Sequence, residues 1–198
     1  MPKTRKQAIG IRAGAAKVDI TPPLGTQIAG DIGRYPPTEQ IRDPLYAKAL
    51  IIESGSKRVC WLSMDLLVVS RKWANEIKRQ AEARYGLDPE TIMVHVVQNH
   101  AAPSLGHFFV FDEDEWGAFP REYPWLLGGD DRYNPIAVKG ALDAIGRAIQ
   151  SLQPVTVQVG RGMDGRVAFN RRFVMRDGTV RTHPPLCSPD ILYCEGPM

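Results

Sequence analysis

Between Arg58 and Val97 the chain reads strand, helix, strand, and that order limits the fold more than any other feature. Arg58 to Val69 is a largely apolar run, interrupted by Asp65. Ser70 follows as an N-cap, and Trp73, Ala74, Ile77, Ala81 and Tyr85 recur at helical spacing across residues 71–85. Gly86, free to take a left-handed backbone, closes that helix. Residues 91–97 are again apolar and short, as a buried strand requires. A helix between two such strands is the crossover of a β-α-β unit and packs on one face of a sheet.

The flanking segments add to that sheet. Residues 12–20 read as a strand ended by Thr21-Pro22-Pro23-Leu24-Gly25, and residues 26–44 as a Gly- and Pro-rich loop. Leu45–Glu53 and Arg58–Val69 form a hairpin through Ser54-Gly55-Ser56-Lys57. After a long segment at 101–133, Asn134-Pro135 opens a second helix reaching about Leu152, with proline suited to its first turn. Val155–Gly160 reads as a strand, and Val167–Arg181 as a hairpin turning at Asp177-Gly178. From His183 onward Pro, Cys and Gly predominate, with no closing element. The expected class is mixed α/β (α+β), with β-sheets flanked by helices, in an incomplete N-terminal part of a larger domain.

Composition excludes several function classes. The chain has 198 residues, 43% apolar and 24% charged, which is ordinary for one globular domain. No apolar run approaches the roughly 18–20 residues that cross a bilayer, so no transmembrane segment is expected. Of the net charge of +3, three positive charges fall in the first six residues, which reads as a basic flexible arm over 1–10. No secretory h-region follows that arm, so the chain reads as cytoplasmic as it stands. Basic and aromatic residues do not interleave elsewhere, which argues against a nucleic-acid partner. Cys60 lies in an apolar run as a small hydrophobe, and the Cys187/Cys194 spacing makes no zinc knuckle.

Chemistry concentrates in Val97-Gln98-Asn99-His100-Ala101-Ala102-Pro103. Polar groups at the end of a buried strand stand where α/β proteins place reacting groups. His100 is the candidate for proton transfer or metal contact, with a backbone-bonded strand-end histidine as the alternative. Gln98 is a candidate to hydrogen-bond a substrate carbonyl or a water. His95 alternates with Val94 and Val96 as a structural residue, His107 sits in the aromatic loop, and His183 in the Pro-rich tail. Asp65 reaches the same sheet edge as His100 if the two strands run parallel. Arg171 and Arg172, adjacent in a strand, point to opposite faces, so one can reach a substrate anion. The acids Asp112, Glu113, Asp114 and Glu115 lack the spacing of a calcium loop. The aromatic stretch 108–125 suits either an acyl-chain pocket or packing against another segment.

Taken in order, five runs resemble the N-terminal part of the neutral/alkaline non-lysosomal ceramidase family. They are Ala13–Gly25, Asp43–Leu50, Leu62–Leu67, the run ending His100-Ala101-Ala102-Pro103, and Phe169-Asn170-Arg171-Arg172 with Asp177–Val180. The third-to-last of these is followed by a run similar to the family's His-x-His-Ser-Gly-Pro signature. The resemblance implies that residues 1–198 are the front of a ceramidase-like hydrolase domain acting on ceramide or another lipid or small-molecule amide. It further implies zinc, catalytic roles for His100 and Arg171, substrate contacts from Gln98 and Asn170, and His100 beside or on the metal. The family's first zinc-ligand histidine corresponds to Gln98 here, and a neutral amide oxygen is a poor zinc ligand. That departure keeps a second expectation open: a non-catalytic relative, its metal site lost, that binds an amphipathic ligand or partner. The remaining ligands and the catalytic serine region are expected after Met198, so the chain would pack against that C-terminal part or another chain. Family members are often secreted.

Overall fold

The computed structural model describes residues 10–30, 37–107, 129–162, 170–185 and 187–195. They fall into two compact units, Met1–Thr156 and Val157–Met198. The basic arm, the aromatic stretch 108–125, the acidic set 112–115 and Phe169 lie outside the described residues.

The first unit is a mixed five-stranded sheet in the order β4-β3-β2-β1-β5. Its strands are β1 (Ile11–Asp19), β2 (Tyr46–Ser54), β3 (Lys57–Met64), β4 (Ile92–Val96) and β5 (Gln153–Pro154). β1, β2 and β3 pair antiparallel, whereas β3 pairs parallel with β4 from Cys60↔Ile92 to Met64↔Val96. The crossover between those two is α1 (Arg71–Tyr85), so the expected β-α-β unit is present. Ser70 occupies the N-cap with extended backbone, but its hydroxyl makes no capping bond, and Gly86 ends the helix at φ 64°.

α2 (Asn134–Gln150) packs across β1 and β2. Its small residues Ala137, Gly140, Ala141, Ala144 and Ala148 are buried and let the helix lie close. The close approach also explains Gly14: a Cβ there would stand 2.1 Å from the Ala148 carbonyl oxygen. The shared core consists of Ala47, Ala49 and Ile51 of β2, Cys60, Leu62 and Met64 of β3, Ile77 and Ala81 of α1, and Leu142 and Ile145 of α2. Cys60 is fully buried, and burial pushes its thiol pKa up to about 12, so it serves as a small hydrophobe.

Three sequence expectations change. The strand expected over 58–69 stops at Met64, because the Asp65 carboxylate turns back to accept from the Tyr46 backbone and Lys48 Nζ. No strand forms over the expected 155–160; just before it, at Gln153–Pro154, lies the two-residue β5. Its pairing with β1 reaches only Val155, whose N–H bonds Ile11 at the start of β1, so residues beyond have no partner strand among those described. The second unit is a three-stranded sheet in the order β7-β6-β8, from β6 (Arg172–Met175), β7 (Val180–Thr182) and β8 (Ile191–Cys194). β6 and β7 turn at Asp177-Gly178 as expected, with Gly178 at φ 79°, whereas β8 lies in the tail that showed no closing element.

Gly14→Ala is expected to destabilise the first unit by about 1–3 kcal/mol, since helix backbone must shift to admit the methyl group. Denaturant unfolding followed by circular dichroism measures this, and Gly10→Ala, where a Cβ meets nothing within 4 Å, is the neutral control.

Candidate functional site

Parallel pairing brings the C-terminal ends of β3 and β4 to one rim, and the backbone stays paired beyond the strands. Val97 N–H donates to Met64 O at 3.3 Å and Asn99 N–H to Leu66 O at 3.1 Å. Leu67 N–H donates to Pro103 O, and Ser70 N–H to Leu105 O, so the whole segment 97–105 is laced to 64–70. On this lacing sits the turn that carries Gln98, Asn99 and His100. Gln98 and His100 are exposed, and Ala102 to His107 plunge into the interior.

The turn has a strained member. Gln98 has φ 58°, and His183 in the second unit is the other described non-glycine residue with positive φ. Such backbone costs an L-residue on the order of 1 kcal/mol and clusters at functional turns. Asn99 steadies the turn by accepting from the Ala101 N–H at 2.9 Å. Behind it Ala29 N–H donates to Ala102 O at 3.1 Å. Gly30, at φ 120°, presses its backbone on His100: a Cβ there would come within 2.9 Å of the histidine Cα. The imidazole is therefore carried on a braced backbone while remaining open to solvent.

Beside the turn is a hollow of about 580 Å³. Ile28, Ile41 and Leu45 give it apolar wall, Thr21, Glu39, Arg42 and Asp43 give it polar and charged wall, and Asn99 and Ala101, the neighbours of His100 in sequence, border it. The Thr21 hydroxyl accepts from the Leu45 N–H at 2.9 Å, and the Thr21 N–H donates to Asp19 Oδ1 at 2.7 Å. Bonding from the Thr21 side chain, then from its backbone, holds the Asp19 carboxyl below the usual aspartate range.

A second clip fixes the loop that leads to Ile28. The side chain of Asp130 is 8% exposed; it pairs with Arg132 Nη2 at 2.6 Å and accepts from the Gln27 N–H at 3.2 Å. Arg132 also donates to Gly25 O at 3.0 Å. The Arg132 side chain, with smaller help from the Gln27 and Arg132 N–H groups, lowers the Asp130 pKa against the opposing effect of burial. Next to it the fully buried Tyr133 donates its hydroxyl to Ile20 O at 2.6 Å, and burial followed by the Asp19 charge raises its phenol far above the ordinary value.

Other sequence candidates are distributed differently. Asp65 shares the rim with the His100 turn, but its oxygens are taken by the Tyr46 N–H and by Lys48 Nζ at 2.7 Å. His95 lies on the exposed sheet face, its Nδ1 3.2 Å from Ser63 Oγ. His107 is buried with Nε2 3.7 Å from Asp131 Oδ1. Asn170 and Arg171 open the second unit's sheet. The Asn170 amide donates to Glu195 O and its Oδ1 accepts from the Arg172 N–H at 3.0 Å, while Arg171 is exposed. Arg172 pairs with Glu195 at 2.9 Å, and the Cys194 thiol donates to Asn170 O. Gln98 and His100 thus belong to one unit, and Asn170 and Arg171 to the other.

Among the described residues no group of three His, Cys, Asp or Glu side chains converges to hold a metal ion, and Gln98 brings an amide to the turn. No helix among the described residues is long and apolar enough to cross a membrane.

This architecture is a ceramidase-like fold. The chain resembles the crystal structure of the neutral ceramidase from Pseudomonas aeruginosa, with a TM-score of 0.57 and 21% identity, over 75% of this chain and 23% of that one. It likewise resembles a ceramidase solved in complex with C2, with a TM-score of 0.55 and 22% identity, over 74% of this chain and 22% of that one. The chain therefore spans less than a quarter of the length of the solved proteins it matches. No family model matches the sequence, and no curated protein does.

Two outcomes test the site's construction. Gln98→His should tighten zinc binding at least about tenfold, since imidazole is a far better zinc ligand than a carboxamide; calorimetric zinc titration measures it. For Asp130, a folded pKa below the ordinary 3.8 means stability present above pH 4 and lost as pH falls through the folded value. Denaturation at pH 7 and pH 3 should show wild type losing more stability than Asp130→Asn over that interval.

Proposed function

We propose that this chain forms part of a ceramidase-like hydrolase and contributes the rim at which an amide of an N-acyl lipid or related compound is held and cleaved. The observation that carries the reading is the braced, solvent-open His100 at the C-terminal rim of the parallel pair, next to a hollow with both apolar and charged wall, within a ceramidase-like fold. The hollow takes part of the acyl group, and the amide lies over the turn. Asn99 and Gln98 offer amide groups to the substrate carbonyl.

His100 acts as the proton carrier. It takes a proton from the attacking water as that oxygen bonds to the carbonyl carbon. It returns the proton to the leaving nitrogen as the carbon–nitrogen bond breaks, giving a carboxylic acid and a free amine. Arg171, exposed at the start of the second unit's sheet, offers a planar fork to an anionic group, and the Asn170 side chain beside it ties the Arg172 N–H to the Glu195 carbonyl. Metal assistance, which the sequence resemblance implies, would draw on donors beyond the described residues, so none of these steps is routed through zinc.

A second reading is a scaffold that binds an amphipathic N-acyl ligand without cleaving it. Gln98 at the position of the family's zinc-ligand histidine is the observation that favours it. Placing residues 10–156, with Gln98→His, in the matching segment of the Pseudomonas aeruginosa enzyme separates the two. Hydrolysis of a fluorogenic N-acyl sphingosine by that chimera should fall about 100-fold on His100→Ala, with substrate affinity changed less than about threefold. An unchanged rate removes His100 from the reaction. Retained binding without turnover in every version favours the scaffold.

A further inference from the structure

α1 and α2 share one core with alternate residues of the sheet, and the opposite face bears a different pattern. Register aligns its outward side chains in rows across the strands. One row is apolar: Ala15↔Leu50↔Trp61↔Met93. The row on one side is also apolar, Ala13↔Ile52↔Val59, and the row on the other is polar, Lys17↔Lys48↔Ser63↔His95. Trp61 is 50% exposed, Met93 52%, Val59 46% and Leu50 36%, and no described element packs on them. Single exposed apolar residues need no explanation, but contiguous rows of them mark an interaction surface.

We propose that this face is a self-association surface on which a second copy of the chain docks, sheet on sheet. Area is the first argument. Three strands of eight or nine residues and the five-residue β4 give a footprint of about 500 Å² per copy at ordinary strand rise and spacing. The pair covers about 1,000 Å² before side-chain relief is counted, the range in which specific interfaces begin. Charge is the second. A two-fold axis perpendicular to the strands lays each lysine row on the partner's Ala13–Ile52–Val59 row, where lysine stems cover apolar surface and the amines reach the rim. An axis along the strands would stack Lys17 and Lys48 on their own copies. Lys48 is already neutralised by Asp65 at 2.7 Å, so the row offers little net charge to an anionic bilayer. The face is also open rather than enclosed, which suits a flat partner better than a small ligand.

The test is sedimentation equilibrium of the whole chain between 5 and 50 μM. The expected species has twice the 22.0 kDa chain mass. Trp61→Glu and Leu50→Lys should weaken association at least tenfold, while Val159→Glu, on a 92%-exposed residue of the second unit, should leave it unchanged. Because a misfolded variant imitates dissociation, a gain-of-signal version accompanies these. Leu50→Cys in a Cys187→Ser, Cys194→Ser background should be captured as a covalent dimer by a short bis-maleimide, whose reach spans the roughly 10 Å between packed sheets. A wild type that stays monomeric at 50 μM overturns the proposal. So does a dimer indifferent to both face variants, or a monomer that binds phosphatidylglycerol vesicles through Trp61.

Discussion

Parallel pairing of β3 with β4 is the constraint on which the rest depends. It requires a crossover, which α1 supplies, and it brings two strand ends to one rim. Backbone groups there would be left unpaired where the strands part, and burying an unpaired peptide group is costly. The chain resolves this by pairing 97–105 with 64–70 through loop hydrogen bonds. That lacing holds the backbone of the turn at 98–100 while leaving Gln98 and His100 exposed.

Surroundings convert the rim into a site. The hollow beside His100 owes most of its walls to 21–28 and 37–45, and the first of these segments is held by bonds to distant residues. Gln27 is tied to Asp130, Gly25 to Arg132, and Ile20 to Tyr133. Entry into α2 therefore positions the loop that shapes the hollow, and α2 in turn is seated by the close approach at Gly14. Core packing and site geometry are one structure here.

Most of the sheet was legible in the sequence because period and punctuation are local signals. The apolar runs, the helix ending at Gly86, the proline opening α2 and the Asp177-Gly178 turn each lie within a few residues of what they determine. Features set by contacts across more than 100 positions were not legible, and the Asp130 clip and the Tyr133 anchor are of that kind. β5 and the early end of β3 were misjudged for a related reason: apolar content extends a strand only while a partner lies alongside. β8 hid because four residues, Ile191–Cys194, carry too short a pattern among prolines and glycines. The site was half legible. Its turn announced itself by polar residues after a buried strand, whereas the positive φ of Gln98 and the hollow emerge only in three dimensions.

The face opposite α1 and α2 and the rim are two distinct surfaces of the same sheet, and the functional reading rests on the rim. The most direct measurement is the backbone amide NMR spectrum of the labelled chain, titrated with a water-soluble short-chain N-acyl sphingosine. The account predicts that the largest shifts fall on Thr21, Ile41, Asn99 and Ala101, around the hollow and the His100 turn. Shifts confined to Leu50, Trp61 and Met93, or none anywhere, would contradict it.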